Sequence, residues 1–247
     1  YYSVPVMARL AKEAVNLFHN LEEEIGTNGG FNNTGFTVLV SPEWLDKAKE
    51  VISMNNKLGI KSEFIPQRDW ENNFPWLNPE GVGAVVYEKD SGYADPVQTT
   101  EGFVKAFKNL GGVFKERTAV RELIRKGDSI DGVILESGKI FSEALVNAAG
   151  PWSKFLAEGV ELELPIVSVR EQDSIWQFRT KKGMPNSPVA NQIEATYMRP
   201  MGDGRWLLGR GYPKDYYECD PYNFKESGDE EFLDDLYKRC CERIPGM

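Results

Sequence analysis

The chain has 247 residues, 41% of them hydrophobic and 27% charged, which is enough apolar material for a real core and suits two compact lobes. Acidic side chains outnumber basic ones 38 to 29, and the net charge of −9 repels phosphate backbones and anionic lipid, which argues against nucleic acid and membrane surfaces as partners. No stretch approaches the roughly 20 apolar residues of a membrane span, and Cys219, Cys240 and Cys241 are odd in number without metal-ligand spacing, so a reducing, cytoplasmic setting is expected.

The opening Tyr1-Tyr2-Ser3-Val4-Pro5 has no initiator Met and leads almost directly into a helix, as expected of an excerpt from a longer protein. Val6, Leu10, Ala14, Leu17, Leu21 and Ile25 recur at spacings of three and four and predict one amphipathic helix, broken at Gly29-Gly30. Residues 35–40 form an apolar, strand-forming run. Ser41-Pro42 then reads as an N-cap with proline in the first helical position; Leu45, Ala48 and Ile52 supply an inner face, and Gly59 the stop. A Pro- and Asn-rich loop leads to a short strand at 84–87. Asp95-Pro96 repeats the cap-plus-proline signature before a helix whose face is marked by Val97, Thr100, Phe103, Val104, Phe107 and Leu110, ended by Gly111-Gly112.

Three strands are predicted near 118–125, 131–136 and 139–141, separated by Lys126-Gly127-Asp128 and Ser137-Gly138 turns, a small β-meander. It delivers the chain into a strand expected at 144–149 and a helix begun by Trp152 and Ser153. Small residues at Ala148-Ala149-Gly150 let a ligand approach the backbone closely, and the helix start after them turns free N–H groups toward a phosphate-bearing group. Beyond Glu161, residues 164–178, 193–198 and 205–209 read as antiparallel strands of a half-exposed sheet. A closing helix at about 229–243 turns Phe232, Leu233, Leu236, Tyr237 and Cys240 inward.

In this order, Glu24-Ile25-Gly26 with Thr34-Gly35, Ser91-Gly92-Tyr93-Ala94-Asp95-Pro96, Leu110-Gly111-Gly112-Val113, Ala119-Val120, Gly132-Val133, the run Val146 to Ser153, Leu164-Pro165-Ile166 and Tyr197-Met198-Arg199-Pro200 resemble the D-amino acid oxidase-like family of FAD-dependent oxidoreductases. The likeness is to the sarcosine oxidase and glycine oxidase branch, and it spans nearly the whole chain. It implies a mixed α/β and α+β fold: a partial FAD-binding α/β lobe with a β-meander (1–30 and 92–162), and a substrate lobe with a large, mostly antiparallel sheet flanked by helices (31–91 and 163–247). The chain would cross between lobes near Gly30, Ser91 and Leu162. The resemblance also implies that Ala148, Ala149 and Gly150 lie against the flavin's ribityl and pyrophosphate portion, that Val120 meets the adenine through its backbone, and that Trp152 supports the cofactor.

Two family marks are not in these residues. The Gly-x-Gly-x-x-Gly turn between strand and helix is missing, since Gly81-Val82-Gly83 precedes only a short strand, and so is the C-terminal Gly-rich stretch beside the flavin ring. The 247 residues are therefore expected to be inactive alone and to hold FAD weakly, with a partner subunit or a homo-oligomer as an open possibility.

The implied reaction takes a hydride equivalent from an amine C–H bond to the flavin, with sarcosine, glycine, proline or a D-amino acid as substrate. A carboxylate substrate wants a cation and the amine an aromatic or aliphatic cage. Tyr197, Arg199, Arg210 and Tyr212 offer these, and pairing of consecutive strands would put them on one face. Arg170 reads as a salt-bridged framework residue, His19 as a solvated histidine, and Glu22 to Glu24 as a solvated helix end. A single histidine argues against a histidine triad or zinc site. Two alternatives stay open: a glycerol-3-phosphate dehydrogenase-like flavoprotein, which would want a dense basic pocket, and an inactive fragment or subunit that needs missing segments or a partner.

Overall fold

The computed structural model describes residues 2–178 and 184–245; Tyr1, named above, lies outside the described residues. In chain order the elements are α1 (Pro5–Ile25), β1 (Phe36–Val40), α2 (Leu45–Lys57), β2 (Ser62–Ile65), α3 (Trp70–Asn73), β3 (Ala84–Glu88), α4 (Pro96–Asn109), β4 (Val120–Lys126), β5 (Ser129–Leu135), β6 (Gly138–Phe141), α5 (Ser153–Glu158), β7 (Asp173–Gln177), β8 (Val189–Asn191), β9 (Thr196–Pro200), β10 (Arg205–Arg210) and α6 (Glu230–Arg243). They form two compact units, one of residues 1–111, 172–214 and 227–247, the other of 112–171 and 215–226.

In the larger unit seven strands lie in the order β2-β3-β1-β8-β9-β10-β7. All pairs are antiparallel except β1 with β8, whose members come from distant parts of the chain. Alternation divides the side chains between two faces. On one face Leu39, Val85, Val189, Met198, Trp206 and Leu208 pack with Trp70, Phe74 and Trp76 and with Leu236 and Cys240 of α6. On the other, Val38, Val40, Ala84 and Val86 pack under Ala48 and Ile52 of α2. Each Val, Leu, Ile, Met or Phe side chain among them, if fully buried, contributes about 1.5–3 kcal/mol.

α6 is also fastened by charge. Arg243 is buried and gives Nε to Glu194 at 3.0 Å and Nη1 to the Glu80 carbonyl at 2.8 Å, while Arg239 gives Nη1 to the Glu194 carbonyl at 2.9 Å. These contacts tie the helix to the β8–β9 turn and to the loop before β3.

Several expectations need correction. α1 ends at Gly26, whose φ of 77° and N–H to the Glu22 carbonyl close the helix before Gly29-Gly30. Along α1 only Ala8 and Leu21 are buried and Leu10 is 60% exposed; on α4 only Gly102 is buried. Apolar periodicity shows which residues share a face, not whether another layer covers it. The Pro- and Asn-rich loop carries α3 and three core aromatics, Trp70, Phe74 and Trp76. Within 164–178 only Asp173–Gln177 pairs as a strand, and 192–195 is the turn between β8 and β9 rather than strand.

In the smaller unit β4, β5 and β6 form the expected antiparallel meander, with Gly127 at φ 62° in the first turn. Gly132 is required by space: a Cβ there would fall 2.1 Å from the Ile140 carbonyl oxygen of the neighbouring strand. The strand expected at 144–149 is not one. Residues 143–148 take part in no backbone–backbone hydrogen bond among the described residues, because no strand lies beside them to complete a ladder. A 3-10 turn over Gly150–Trp152 then runs directly into α5, as the sequence predicts.

Candidate functional site

The second face of the large sheet is covered by α2 only over β1 and β3; over β9, β10 and β7 it carries polar and aromatic side chains. Alternation along β9 places Tyr197 and Arg199 there, opposite to Thr196 and Met198. The register aligns Tyr197 with Gly209 and Asp173, and Arg199 with Leu207 and Ile175. Ile175 is 54% exposed.

Tyr197 reaches across β10 and donates its phenol proton to Asp173 Oδ1 at 2.6 Å. The crossing is possible because the residue between them is glycine: a Cβ on Gly209 would fall 2.3 Å from Asp173 Oδ1 and 2.3 Å from Tyr197 Cζ. The Arg199 guanidinium lies 5.4 Å from the centre of the Tyr93 ring and gives Nη1 to the Pro200 carbonyl at 3.3 Å. No carboxylate among the described residues pairs with Arg199. Tyr93 is itself set by a two-way backbone bridge to Asn32, at 2.8 and 3.2 Å.

Arg210 and Tyr212 do not join this group. Arg210 aligns with Thr196 and so points to the opposite face, where it pairs with Asp235 of α6; Asp235 in turn accepts from Arg239 Nε at 2.9 Å. Burial between sheet and helix makes it a framework cation. Tyr212 lies beyond the end of β10, is 71% exposed, and has Lys214 Nζ 5.7 Å from its ring centre. Sequence reasoning missed Asp173, Gly209 and Tyr93. A glycine inside a predicted strand is a signal for close approach, but only register tells which side chain makes it.

The residues expected to meet a flavin nucleotide lie in the smaller unit. Val120 opens β4 opposite Leu135 and is exposed. Ala148 and Gly150 are exposed and Ala149 is half-buried. Ala149 N–H is turned onto Asn147 Oδ1 at 3.3 Å, and Asn147 Nδ2 is given to the Ser153 carbonyl at 3.0 Å, which fixes the bend before α5. Trp152 meets Tyr222 edge to face, with ring centres 6.1 Å apart. These residues fit contact with a cofactor in one respect: small side chains stand next to backbone groups with no backbone partner, and Val146 is 89% exposed beside them.

Other polar residues are structural. Arg170 gives Nε to the Lys225 carbonyl at 2.8 Å. His19 is exposed but not purely solvated, because Nε2 lies 2.9 Å from the Asp90 carbonyl and the ring meets Phe31 edge-on. Burial pushes the Cys240 thiol up to about 12. Among the described residues no group of three or more His, Cys, Asp or Glu side chains could hold a metal, and no helix is long and apolar enough to cross a membrane.

The model of the family described as FAD dependent oxidoreductase matches residues 1–247. Among curated proteins, a 4-methylaminobutanoate oxidase (formaldehyde-forming) of Paenarthrobacter nicotinovorans is 24% identical over 229 residues, covering 91% of this chain and 28% of that protein. The mitochondrial dimethylglycine dehydrogenase of Homo sapiens is 25% identical over 204 residues, covering 80% of this chain and 23% of that protein. The crystal structure of L-proline dehydrogenase from P. horikoshii superposes with a TM-score of 0.84 at 27% identity, covering 96% of this chain and 62% of that one. The chain thus spans about a quarter of the length of these curated relatives. With the family's model matched from the first residue to the last, on a mixed α/β framework that superposes on a known oxidoreductase, this chain belongs to the FAD-dependent oxidoreductase family.

Proposed function

We propose that this chain forms part of an FAD-dependent enzyme that oxidises a secondary amine or a small amino acid of the sarcosine, glycine, proline or D-amino acid type. The observation that carries the reading is Arg199: a half-buried cation on the sheet face beyond the reach of α2, held on an aromatic ring instead of by a carboxylate. A guanidinium so placed suits the carboxylate of an incoming substrate, a contact worth about 1.5–3 kcal/mol. Leu207 and Ile175 stand beside it in register as an apolar wall for the substrate's carbon atoms. Tyr197 lies one alternation away, toward the nitrogen. Arg210 and Tyr212 drop out of the substrate set.

FAD, when bound, accepts a hydride equivalent from the amine C–H bond, leaving an imine that water hydrolyses. Val120, Ala148, Ala149, Gly150 and Trp152 would hold it, with residues 1–30 and 92–162 serving the cofactor and 31–91 and 163–247 the substrate. Without a Gly-x-Gly-x-x-Gly turn the 247 residues by themselves should bind FAD weakly and be inactive, so the missing contacts come from further chain or from a partner subunit; stoichiometric flavin absorbance in the isolated 247 residues would contradict this. Three free cysteines support a reducing compartment such as the cytoplasm.

The test is anaerobic flavin bleaching of the full-length protein by sarcosine, glycine, L-proline and D-alanine. Reduction by at least one of them is expected. Reduction by none of these, with reduction by glycerol 3-phosphate, would overturn the reading.

A further inference from the structure

Arginine binds a carboxylate well where its guanidinium is already held, because the side chain otherwise has many rotamers to give up. A protein carboxylate beside Arg199 would hold it but would also occupy the place of the substrate's. The ring of Tyr93 holds it differently: a ring face attracts a cation through its quadrupole and leaves its N–H groups for other acceptors. Of the Arg199 donors, Nη1 meets the Pro200 carbonyl at 3.3 Å, while Nε and Nη2 have no partner among the described residues. Both Tyr93 and Arg199 are half-buried, so the contact is partly shielded from water.

Tyr93 suits this task because its backbone is pinned. Residues 91–95 are joined to 29–35 by Gly35 N–H to the Ser91 carbonyl at 2.8 Å, by the two-way bridge between Asn32 and Tyr93, and by Asp95 N–H to the Gly29 carbonyl at 3.1 Å. Gly92 lets the two segments meet, since a Cβ there would fall 2.0 Å from the Asn32 carbonyl oxygen. Asp95 then caps α4 and fixes the far end of the loop. We infer that Tyr93 is the positioning residue of Arg199: it holds the guanidinium by cation–π attraction and leaves Nε and Nη2 for the two oxygens of a substrate carboxylate. The inference rests on the proposed function and adds a residue that governs substrate affinity at the same site. Tyr93 then acts on binding through Arg199 and touches no reacting atom.

The experiment measures KM and the limiting rate of flavin reduction in the full-length protein, with whichever of sarcosine, glycine, L-proline and D-alanine reduces it. Tyr93→Leu keeps an apolar side chain but removes the ring face, so KM should rise about 3- to 30-fold while the limiting rate stays within about twofold. Tyr93→Phe keeps the ring and should hold KM within about twofold of wild type. In an Arg199→Ala background Tyr93→Leu should have no further effect on KM, a result that a merely structural role would not give. Replacing Tyr93 by pentafluorophenylalanine keeps a flat ring but inverts its quadrupole; KM should rise as in Tyr93→Leu, which tests the inference even if that variant fails to fold. Unchanged KM in the leucine and fluorinated variants would overturn the inference. So would losses at Tyr93 and Arg199 that add in the double variant, or a fall in limiting rate with KM unchanged. If none of the four substrates reduces the wild-type flavin, or Arg199→Ala leaves KM unchanged, the proposed function and this inference fall together; a KM that responds to Arg199→Ala but not to the Tyr93 variants removes only the role of Tyr93.

Discussion

The two faces of the large sheet are built from the same strands by strict alternation, yet they do opposite work. Over β9 and β10, Thr196, Met198, Leu208 and Arg210 face α6 and are sealed by Leu236 and Cys240, with Asp235, Arg239 and Glu194 arranged in ion pairs around them. One residue out of phase, Tyr197, Arg199, Leu207 and Gly209 face away from that helix and carry a phenol, a guanidinium and a notch. Over β9 and β10 the buried core lies on one face, and the proposed substrate contacts lie on the other. A one-residue change in register would exchange them.

The largest effects should come from the sealed face. Leu208→Ala removes a side chain that is 0% exposed and should cost about 2–5 kcal/mol in urea unfolding of the full-length protein. Ile175→Ala, on the adjoining strand but the other face, should stay within about 0.5 kcal/mol. Equal losses at the two positions would break the comparison. Glu194→Ala, in the β8–β9 turn, strands the buried Arg243 cation of α6 and should cost about 3–5 kcal/mol, more than any substitution of an exposed charge on α6.

Arg199→Ala should do the reverse of Leu208→Ala: unfolding shifts within about 0.5 kcal/mol, while KM for a carboxylate substrate rises about 10- to 100-fold. Gly209→Ala falls between. Its Cβ has no room beside Tyr197 and Asp173, so stability should drop about 1–3 kcal/mol.

The smallest effect belongs to pH. Burial pushes the Cys240 thiol from its ordinary 9.0 up to about 12, so the folded protein keeps a proton that the unfolded chain gives up. Stability from this group is complete below 9 and is lost as pH rises from there through about 12; Cys240→Ala should lessen that decline. Under native conditions an alkylating reagent should modify Cys219 and Cys241, which are partly exposed, before Cys240.

Much of the fold was legible where the signal is local. The Asp95-Pro96 cap works as its residues suggest, with Asp95 Oδ1 accepting from the Gln98 N–H at 2.8 Å, and the Lys126-Gly127-Asp128 turn does close a hairpin. What depends on distant pairing was not legible. The parallel match of β1 with β8 and the alignment of Tyr197 with Asp173 arise from residues far apart in the chain, so Asp173 carried no mark of the bond it makes. Arg210 looked equivalent to Arg199 until register sent it to the other face. The run 144–149 has strand-forming residues, but a strand needs a neighbour to bond with, and its propensity alone did not make one.

The central claim is that the face of this sheet opposite α6 receives an amine substrate through Arg199. Anaerobic reduction of the full-length protein's flavin, titrated with sarcosine in the wild type and in Arg199→Ala, tests it most directly. The account predicts bleaching in both, with half-saturation in the variant at a sarcosine concentration about 10- to 100-fold higher and an unchanged unfolding midpoint. Identical titration curves for the two proteins would contradict it.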